Sequence, residues 1–477
     1  MKQWQYGVAA AVAVVMSVAS MPSVLASPFD VYGPGARSAA MGGAQVANPK
    51  GAAATYDNVA GLAGQEPEFR IGAFASFVDA PILLNERPDG YDVPDLGSRS
   101  PAMPSSNTRN PRSDSEGPRP MYGVQFGAIT DFGDTRTRAG LTVMLPTNGL
   151  LDLQTHFPDE RERYFSNQLH HEIVGSRIHR PVIDLGIARP LTDRISFGIG
   201  GTYLPATVVT TGAYVRDPAD QSDVDINADV HTGNQWGFVA GVQAEVLEDL
   251  HVGLAYRGDV AFVIEGANEV QVRGIDVDEE ESRQQLDWVP VSTPSSLRAG
   301  LAWAISDVEL TVDGRYVFWS SHVNTHGEEA GFEDSIETRA GVEWASSSDT
   351  RLRAGAGFIP TPVPDQRGRT NYVDNSRLSG SVGASHRFQL WQRDMEASWF
   401  LQVQHLLRRE THKKQRSQYP SCQPGETALC DEVPDDIENP QTGQPYAQAR
   451  GLQTGNPGFP GFVSGGWLGA VGIELRY

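Results

Sequence analysis

The sequence lacks the features that mark helical membrane proteins and common enzymes. After residue 26 of the 477, no stretch approaches 18 apolar residues without a charge. A spanning helix needs roughly 20, so the mature chain does not cross a membrane with helices. Because no hydrolase elbow, metal-ligand cluster, phosphate loop or nucleotide fingerprint is present, we expect no catalysis, no cofactor and no metal. The 38 basic residues against 59 acidic ones, a net charge of −21, argue against a nucleic-acid partner.

Cysteine is also scarce: only Cys422 and Cys430 are present, both in the polar segment Ser417 to Pro434, which proline and glycine interrupt. In an exported chain, which meets an oxidising compartment, we predict a disulfide-closed loop there rather than a metal pair or a nucleophile. Two free thiols without a role are the alternative.

The first 26 residues have the order of a secretory signal: Lys2, the apolar run Gly7 to Ala19, then Val24-Leu25-Ala26. A membrane anchor is the alternative, but the apolar run is shorter than the roughly 20 residues that a spanning helix needs. We therefore expect a signal peptide over residues 1–26. An exported chain that crosses a bilayer without helices must form a closed barrel, since hydrocarbon cannot satisfy free backbone groups. The sequence thus predicts a location in the outer membrane.

From Glu66 onward, apolar and polar residues alternate with the two-residue period of a strand that faces lipid on one side. In the last strand, alternate residues from Trp467 to Tyr477 would face lipid and those from Leu468 to Arg476 the lumen. Inward charges fit a wet or ion-paired interior. We predict fourteen strands, an even number as in bacterial single-chain barrels: 67–79, 120–130, 137–147, 180–191, 194–205, 234–247, 250–264, 295–305, 307–320, 335–346, 350–360, 376–390, 394–408 and 464–477.

The connections between these strands alternate strictly in length, as in outer-membrane barrels with short periplasmic turns and long external loops. Short turns are predicted near Asp131, Thr192, Glu248, Ser306, Ser347 and Arg393. The long loops are predicted at 80–119, 148–179, 206–233, 265–294, 321–334, 361–375 and 409–463. A soluble β-sandwich has no reason to place every long loop at one end, so the pattern predicts a transmembrane barrel over residues 66–477.

Residues 27–65, before the first strand, are rich in glycine and alanine and too small-sided to span lipid. A disordered leader is one interpretation. The other is a hatch packed inside the lumen, because small residues let backbone fold tightly within a tube that would otherwise leak.

The segment Ala39 to Ala63, AAMGGAQVANPKGAAATYDNVAGLA, resembles the hatch signature of the long-chain fatty-acid outer-membrane transporter family, the FadL type. Its Asn-Pro-Ala-Gly-Leu-Ala motif is matched at Asn58 and from Ala60 to Ala63, while Val59 replaces the proline. Two further stretches, Thr293 to Trp319 and Thr338 to Phe388, resemble strands of the family. The resemblance covers the hatch and most of the barrel from about residue 180.

The resemblance implies a hatch-plugged barrel that carries hydrophobic small molecules, such as fatty acids or aromatic hydrocarbons, inward across the outer membrane. A groove among the external loops would capture the ligand, and a lumenal pocket beside the hatch would hold it before lateral release through a kinked strand. Expected partners are outer-membrane lipid, lipopolysaccharide and, during biogenesis, the barrel-assembly machinery. A scaffold for assembly or secretion partners and a diffusion porin are the alternative functions.

For the ligand pocket we predict the start of the mature chain and the hatch, namely Phe29, Val31, Tyr32, Asn58 and Ala60. The alternative is that these residues only fasten the hatch. For external capture we predict Leu153, Phe157 and Phe165, in a loop unusually apolar for a surface. The inward charges are expected to pair across strands, with one arginine alternatively meeting a ligand carboxylate: Arg315, Arg339, Glu343, Arg351 and Arg353.

Overall fold

A computed structural model describes residues 28–85, 119–147, 170–171, 181–216, 223–272, 283–322, 331–366, 372–412 and 461–477, with four residue pairs between 432 and 453. The predicted signal peptide, both cysteines (Cys422 and Cys430) and the loop residues Leu153, Phe157 and Phe165 lie outside these ranges.

Fourteen antiparallel strands, neighbours in sequence order, form the wall of the protein. They are β1 Glu68–Asp79, β2 Arg119–Phe132, β3 Asp134–Pro146, β4 Val182–Pro190, β5 Ile195–Leu204, β6 Gln235–Leu247, β7 Leu250–Arg257, β8 Ser296–Ile305, β9 Val308–Val317, β10 Ser335–Ala345, β11 Thr350–Ile359, β12 Arg377–Leu390, β13 Arg393–His412 and β14 Gly461–Arg476.

The sheet closes because β1 also pairs with β14, from Arg70 opposite Arg476 to Asp79 opposite Trp467. At the end of this ladder, the backbone groups of Phe69 and Tyr477 exchange two hydrogen bonds of 2.8 Å. Closure gives each strand a partner on both sides, as the hydrocarbon of a bilayer requires. The predicted all-β, fourteen-stranded antiparallel barrel is confirmed. Among the described residues, no helix is long and apolar enough to cross a membrane.

The alternation of apolar and polar residues in the sequence corresponds to residues that face outward and inward in the wall. In β14, Trp467, Val471 and Ile473 are exposed on the outside, while Leu468 and Ala470 are buried inside. Aromatic side chains ring the outer surface near both ends of the wall, as at the two interfaces of an outer-membrane barrel. They include Phe132, Trp303, Trp344 and Trp391 near the short turns, and Tyr122, Trp236, Tyr316 and Trp467 near the other end.

The short turns lie together at one end, the periplasmic end by the usual rule for these barrels. Asp249 and Ser306 have positive φ in two of them, and in a third both Trp391 and Gln392 do. Two consecutive residues with positive φ are the geometry of a type I′ hairpin turn, whose twist matches that of the strands.

Two connections predicted as loops, 206–233 and 265–294, are instead largely β-structure. Thr207–Arg216, Asp223–Thr232, Val260–Val272 and Arg283–Thr293 form a separate four-stranded sheet beyond the wall. Each connection folds back as a hairpin, and Asp223–Thr232 pairs with Val260–Val272, which satisfies backbone groups of both hairpins. The strand predicted at 250–264 accordingly divides, with β7 ending at Arg257.

The N-terminal segment, residues 28–64, contains only short helices: α1 Pro28–Tyr32, α2 Gly35–Ala40 and α3 Ala54–Asp57, with 3-10 turns at Gly51–Ala53 and Val59–Gly64. Most of its side chains are buried, and it contacts the inner faces of the strands. The segment therefore lies in the lumen.

An arginine in the middle of the lipid-facing surface should cost more than one near its edge. Val312, 58% exposed, lies midway along β9, and Ile336, 60% exposed, lies at the external end of β10. We expect Val312→Arg to lower the free energy of unfolding in lipid vesicles by roughly 2–4 kcal/mol and Ile336→Arg by roughly 0–1 kcal/mol. Equal losses in a denaturant titration would contradict this placement of the membrane.

Candidate functional site

The N-terminal segment rests on a set of inward-facing glycines, which we call the glycine seat. At each of these positions a Cβ atom would meet an atom of the segment within 4 Å, and ten strands contribute one glycine each. Without side chains, the wall lets the backbone of the segment approach closely. The seat consists of Gly127, Gly140, Gly186, Gly198, Gly241, Gly253, Gly300, Gly341, Gly355 and Gly383.

The segment follows the inside of the wall from strand to strand. Ala40 lies at β12, Met41 at β11 and β10, Val46 at β8 and β7, and Val59 at β5 and β4. The order of these contacts follows the curvature of the barrel, so the segment forms an arc along the inside of the wall rather than a straight rod.

Asn58 and Ala60, two of the predicted ligand residues, rest on this seat at Gly241. The amide nitrogen of Asn58 donates to the carbonyl oxygens of Val46 (2.8 Å) and Val242 (3.1 Å), and its side-chain oxygen accepts from the N–H of Ala60 (3.2 Å). Ala60 is completely buried. Both residues fasten the segment to itself and to the wall.

The external half of the lumen is apolar on one side, which we call the apolar half. Inward-facing apolar residues of the seven neighbouring strands β13, β14 and β1 to β5 form one cluster with Phe29, Tyr32 and Tyr56 of the segment. The wall residues are Phe74, Val78, Met121, Met144, Val182, Leu204, Phe400, Leu406, Leu468 and Ala470. The predicted ligand residues Phe29 and Tyr32 therefore lie in an apolar environment.

The alternation placed Leu468 and Ala470 of β14 inside, but the other inward apolar residues were not expected, since the inward charges suggested a wet or ion-paired interior. The local signal is the loss of alternation near the external ends of the strands. Thr142-Val143-Met144-Leu145 of β3, for example, places an apolar residue on both faces.

The opposite side of the lumen, the charged half, carries buried arginines from β7 to β12. Arg257 forms an ion pair with Asp184 (2.9 Å) and donates to the carbonyl oxygen of Tyr56 (3.0 Å). Arg257 and Arg298 also lie over the Tyr56 ring, 4.2 and 4.8 Å from its centroid. Such cation–π contacts strengthen when they are shielded from water, so Tyr56 anchors the segment to this half.

The other inward charges pair as predicted. Glu337 forms ion pairs with Arg315 (3.8 Å) and Arg339 (2.8 Å). Glu343 forms ion pairs with Arg351 (3.0 Å) and Arg353 (2.6 Å). Pairing across neighbouring strands is therefore confirmed for Arg315, Glu343, Arg351 and Arg353, whereas Arg339 pairs within its own strand.

Below the segment, the charged side chains line a polar chamber of about 940 Å³ towards the periplasmic end. Arg37 of α2 reaches its wall and forms ion pairs with Glu309 of β9 (2.6 Å) and Glu343 of β10 (2.9 Å). Asn48 donates to the same Glu309 carboxylate (2.5 Å). These bonds fasten the periplasmic side of the segment.

Val31, the remaining predicted ligand residue of the segment, borders a narrow cavity of about 50 Å³ on the charged half. Its neighbour Asp30 accepts a hydrogen bond from the Tyr56 hydroxyl (2.6 Å) and forms an ion pair with Arg315 (3.4 Å). The structure thus brings Phe29, Val31 and Tyr32 to the external side of the segment, apart from Asn58 and Ala60.

A family model of outer-membrane transport proteins, described as "Outer membrane protein transport protein (OMPP1/FadL/TodX)", matches residues 176–421, more than half of the chain. The chain belongs to this family. Members of the OMPP1/FadL/TodX family are outer-membrane transport proteins, not enzymes, which fits the absence of catalytic motifs from the sequence.

Solved structures share the fold of this OMPP1/FadL/TodX protein at low sequence identity. A FadL homologue from Pseudomonas aeruginosa is 13% identical, with 96% of this chain and 99% of that chain covered and a TM-score of 0.60. The toluene transporter TodX from Pseudomonas putida is 15% identical, with 94% and 99% covered and a TM-score of 0.50. No curated protein sequence matches the chain.

Adding a methyl group to the glycine seat should displace the segment in this OMPP1/FadL/TodX protein. A Cβ on Gly198 would lie 2.7 Å from the carbonyl carbon of Val59, whereas one on Gly314 would meet nothing within 4 Å. Because backbone must move, we expect Gly198→Ala to lower the free energy of unfolding by about 1–3 kcal/mol and to raise ionic conductance in a planar bilayer. Gly314→Ala is the control, and equal behaviour of the two variants would contradict a tight seat.

Asp57 makes the stability of the segment depend on pH. Burial raises the pKa of Asp57 to about 6, against the opposing effects of Arg298 and a hydrogen bond from Ser38. The folded state favours the neutral carboxyl of Asp57. Asp57 therefore stabilises the folded state below the ordinary pKa of an aspartate, and this stabilisation is lost as pH rises through about 6.

We expect Asp57→Asn and wild type to be similarly stable at pH 4. At pH 8 the variant should be more stable by up to about 3 kcal/mol. Guanidinium unfolding of both proteins between pH 4 and 8 checks this, and parallel stability curves would show that Asp57 does not titrate there.

Proposed function

We propose that this protein carries hydrophobic compounds inward across the outer membrane, with the N-terminal segment acting as a hatch. The observation that carries the proposal is the apolar half of the lumen. In a water-filled porin the inner face of the wall is polar. Here seven neighbouring strands turn apolar side chains inward, beside Phe29 and Tyr32. An apolar site with few polar groups suits a ligand that water and lipopolysaccharide would exclude.

The two parts of the N-terminal segment are held in different ways, which supports a gate in which only one part moves. Residues from Ala40 to Leu62 rest on the glycine seat through backbone atoms and short side chains. The α1 helix has fewer such contacts and is tied by side chains, chiefly through Asp30 and through Gln404, whose amide donates to the Val31 carbonyl oxygen (2.7 Å). We propose that the ligand displaces α1 first, while residues 40–62 stay in place on the glycine seat.

The names of two structures with the same fold support a hydrophobic substrate, since one is a FadL homologue and the other a toluene transporter. We propose long-chain fatty acids or similar compounds as the ligands of this protein. Leu153, Phe157 and Phe165 remain the predicted capture residues, and Cys422 with Cys430 the predicted disulfide. Lateral release through a kinked strand also stays a prediction.

Uptake by cells tests the function directly. In a strain that lacks this protein, we expect loss of uptake of labelled oleate, labelled toluene or both, with recovery when wild type is restored. Met144→Gln should recover uptake about tenfold less well, because a buried amide without a partner is costly in an apolar site. Met395→Gln, the same change at the periplasmic end of β13, is the control.

Three outcomes would contradict the proposal. Unchanged uptake of both compounds in the deletion strain would contradict a transport function. Large ionic conductance of the wild-type protein in a planar bilayer would indicate a diffusion porin. A stable partner that co-purifies, together with unchanged uptake, would indicate a scaffold for assembly or secretion.

A further inference from the structure

The lipid-facing surface has a recess at the place where the sheet closes, which we call the seam groove. It has a volume of about 600 Å³ and extends over the outer face of β12, β13, β14 and β1. The small side chains of Ala73, Ala384 and Ala397 lie in it among the larger Trp399, Ile473 and Leu475. Sites for small molecules usually have about 300–1,000 Å³, so the groove is large enough to hold a ligand.

The seam groove crosses the ladder of β1 with β14, the pairing that closes the barrel. Ala73 of β1 lies opposite Ile473 of β14, and Ile71 lies opposite Leu475. In an unfilled recess, the lining atoms lose dispersion contacts that they would make with a neighbour. A molecule that fills the groove therefore adds contacts to both strands of the closing ladder.

The groove lies near the periplasmic end of the wall. Thr350 and His386 line it on its β11 side, with the Thr350 Oγ1 atom 3.0 Å from the His386 Nδ1 atom. A polar side chain on the lipid face of a barrel costs least near the membrane interfaces. The turn between β12 and β13 adds Trp391, which is 87% exposed and of a type enriched at those interfaces. The groove is thus at the depth where acyl chains meet head groups.

Arg393 places a positive charge on the periplasmic side of the groove. It precedes Ala397 by four residues in β13, so it lies on the same face of the strand, about 13 Å away along it. Its guanidinium carbon lies 4.6 Å from the centroid of the Tyr477 ring, and it donates a hydrogen bond to the Tyr477 hydroxyl. These two contacts hold the guanidinium at the outer rim of the wall.

Arg393 differs from the other arginines at this end of the wall in having no carboxylate partner. Arg353, Arg387 and Arg476 all form ion pairs with Glu396. Within the part of the chain that the structure describes, Arg393 forms no ion pair. A guanidinium has five N–H donors in a plane that suits phosphate oxygens. The free charge of Arg393 therefore complements an anionic head group.

We propose that the seam groove binds one diacyl phospholipid of the periplasmic leaflet. One acyl chain lies in the groove across β13, β14 and β1, and the phosphate binds Arg393 beside Tyr477 and Trp391. The lipid stabilises the ladder that closes the sheet. It is a structural ligand, so the inference is independent of the compound that the protein transports.

A phospholipid fits the seam groove better than a second copy of the chain does. A twofold contact centred on the groove would place the same patch of both copies face to face. Two recesses would then meet and stay unfilled, and the two Arg393 side chains would approach each other. A flexible acyl chain with a phosphate at its end fills the recess and pairs with the charge.

Titration of the full-length mature protein with palmitoyl-oleoyl phosphatidylglycerol, in an alkyl maltoside detergent, tests the site by native mass spectrometry. We expect one tightly bound lipid per wild-type barrel. Ala397→Leu fills the groove and should weaken binding about tenfold, and Arg393→Gln should do so by a similar factor because it removes the charge. Ala299→Leu, at an exposed lipid-facing position of β8, is the matched control and should bind as wild type does.

Palmitoyl-oleoyl glycerol, which has the same chains without the phosphate, separates the two parts of the site. Arg393→Gln should leave its binding unchanged, whereas Ala397→Leu should weaken it about tenfold. Because a ligand of the folded state stabilises that state, added phosphatidylglycerol should raise the Tm of wild type and Ala299→Leu more than that of Ala397→Leu.

Equal binding of phosphatidylglycerol by Ala397→Leu and Ala299→Leu would overturn the inference, as would binding to wild type without a fixed stoichiometry. A wild-type dimer that Ala397→Leu abolishes would assign the groove to a second copy of the chain instead. If Ala397→Leu does not fold, as judged by circular dichroism, Ala384→Leu replaces it with the same expectation.

Discussion

An unpaired peptide group costs several kcal/mol in hydrocarbon, and the pairing of β1 with β14 is what removes the last such groups from the wall. Every other feature depends on that closure. A sheet joined to itself fixes which residues face outward and encloses a lumen that must be filled or left open. Here the filling comes from the residues immediately before β1, so the element that closes the wall also delivers the segment that occupies its interior.

The interior is divided rather than uniform. Apolar residues of seven neighbouring strands face the arginines of β7 to β12, and the N-terminal segment contributes a matching side chain to each half. Phe29 and Tyr32 pack on the apolar half, while Asp30 and Tyr56 meet the arginines. The segment thus has the same polarity as the site in which it rests.

The sequence was informative wherever the pattern is local. The two-residue period located all fourteen strands, because successive side chains of a strand point to opposite faces and only one face meets lipid. It also placed Arg315, Glu343 and Arg353 inside. The N-terminal segment was also recognisable by its composition, since small residues help the close approach that the glycine seat requires.

Features made by distant residues could not be read in this way. The outer four-stranded sheet depends on two hairpins that meet only in space, through Asp223–Thr232 and Val260–Val272. The apolar half depends on single residues, such as Met121, Val182 and Leu204, from different strands of the wall.

The glycine seat also bears on how such a protein diverges in descent. In β5, Phe197 and Ile199 face lipid, where any greasy residue serves, while Gly198 between them excludes even a methyl group. Adjacent positions are therefore under opposite steric constraints, since one accepts many apolar side chains and the other has no room for any. A wall with such constraints can change most of its residues and keep its shape. This chain and the Pseudomonas aeruginosa FadL homologue, which share 13% of their residues and one fold, are an example.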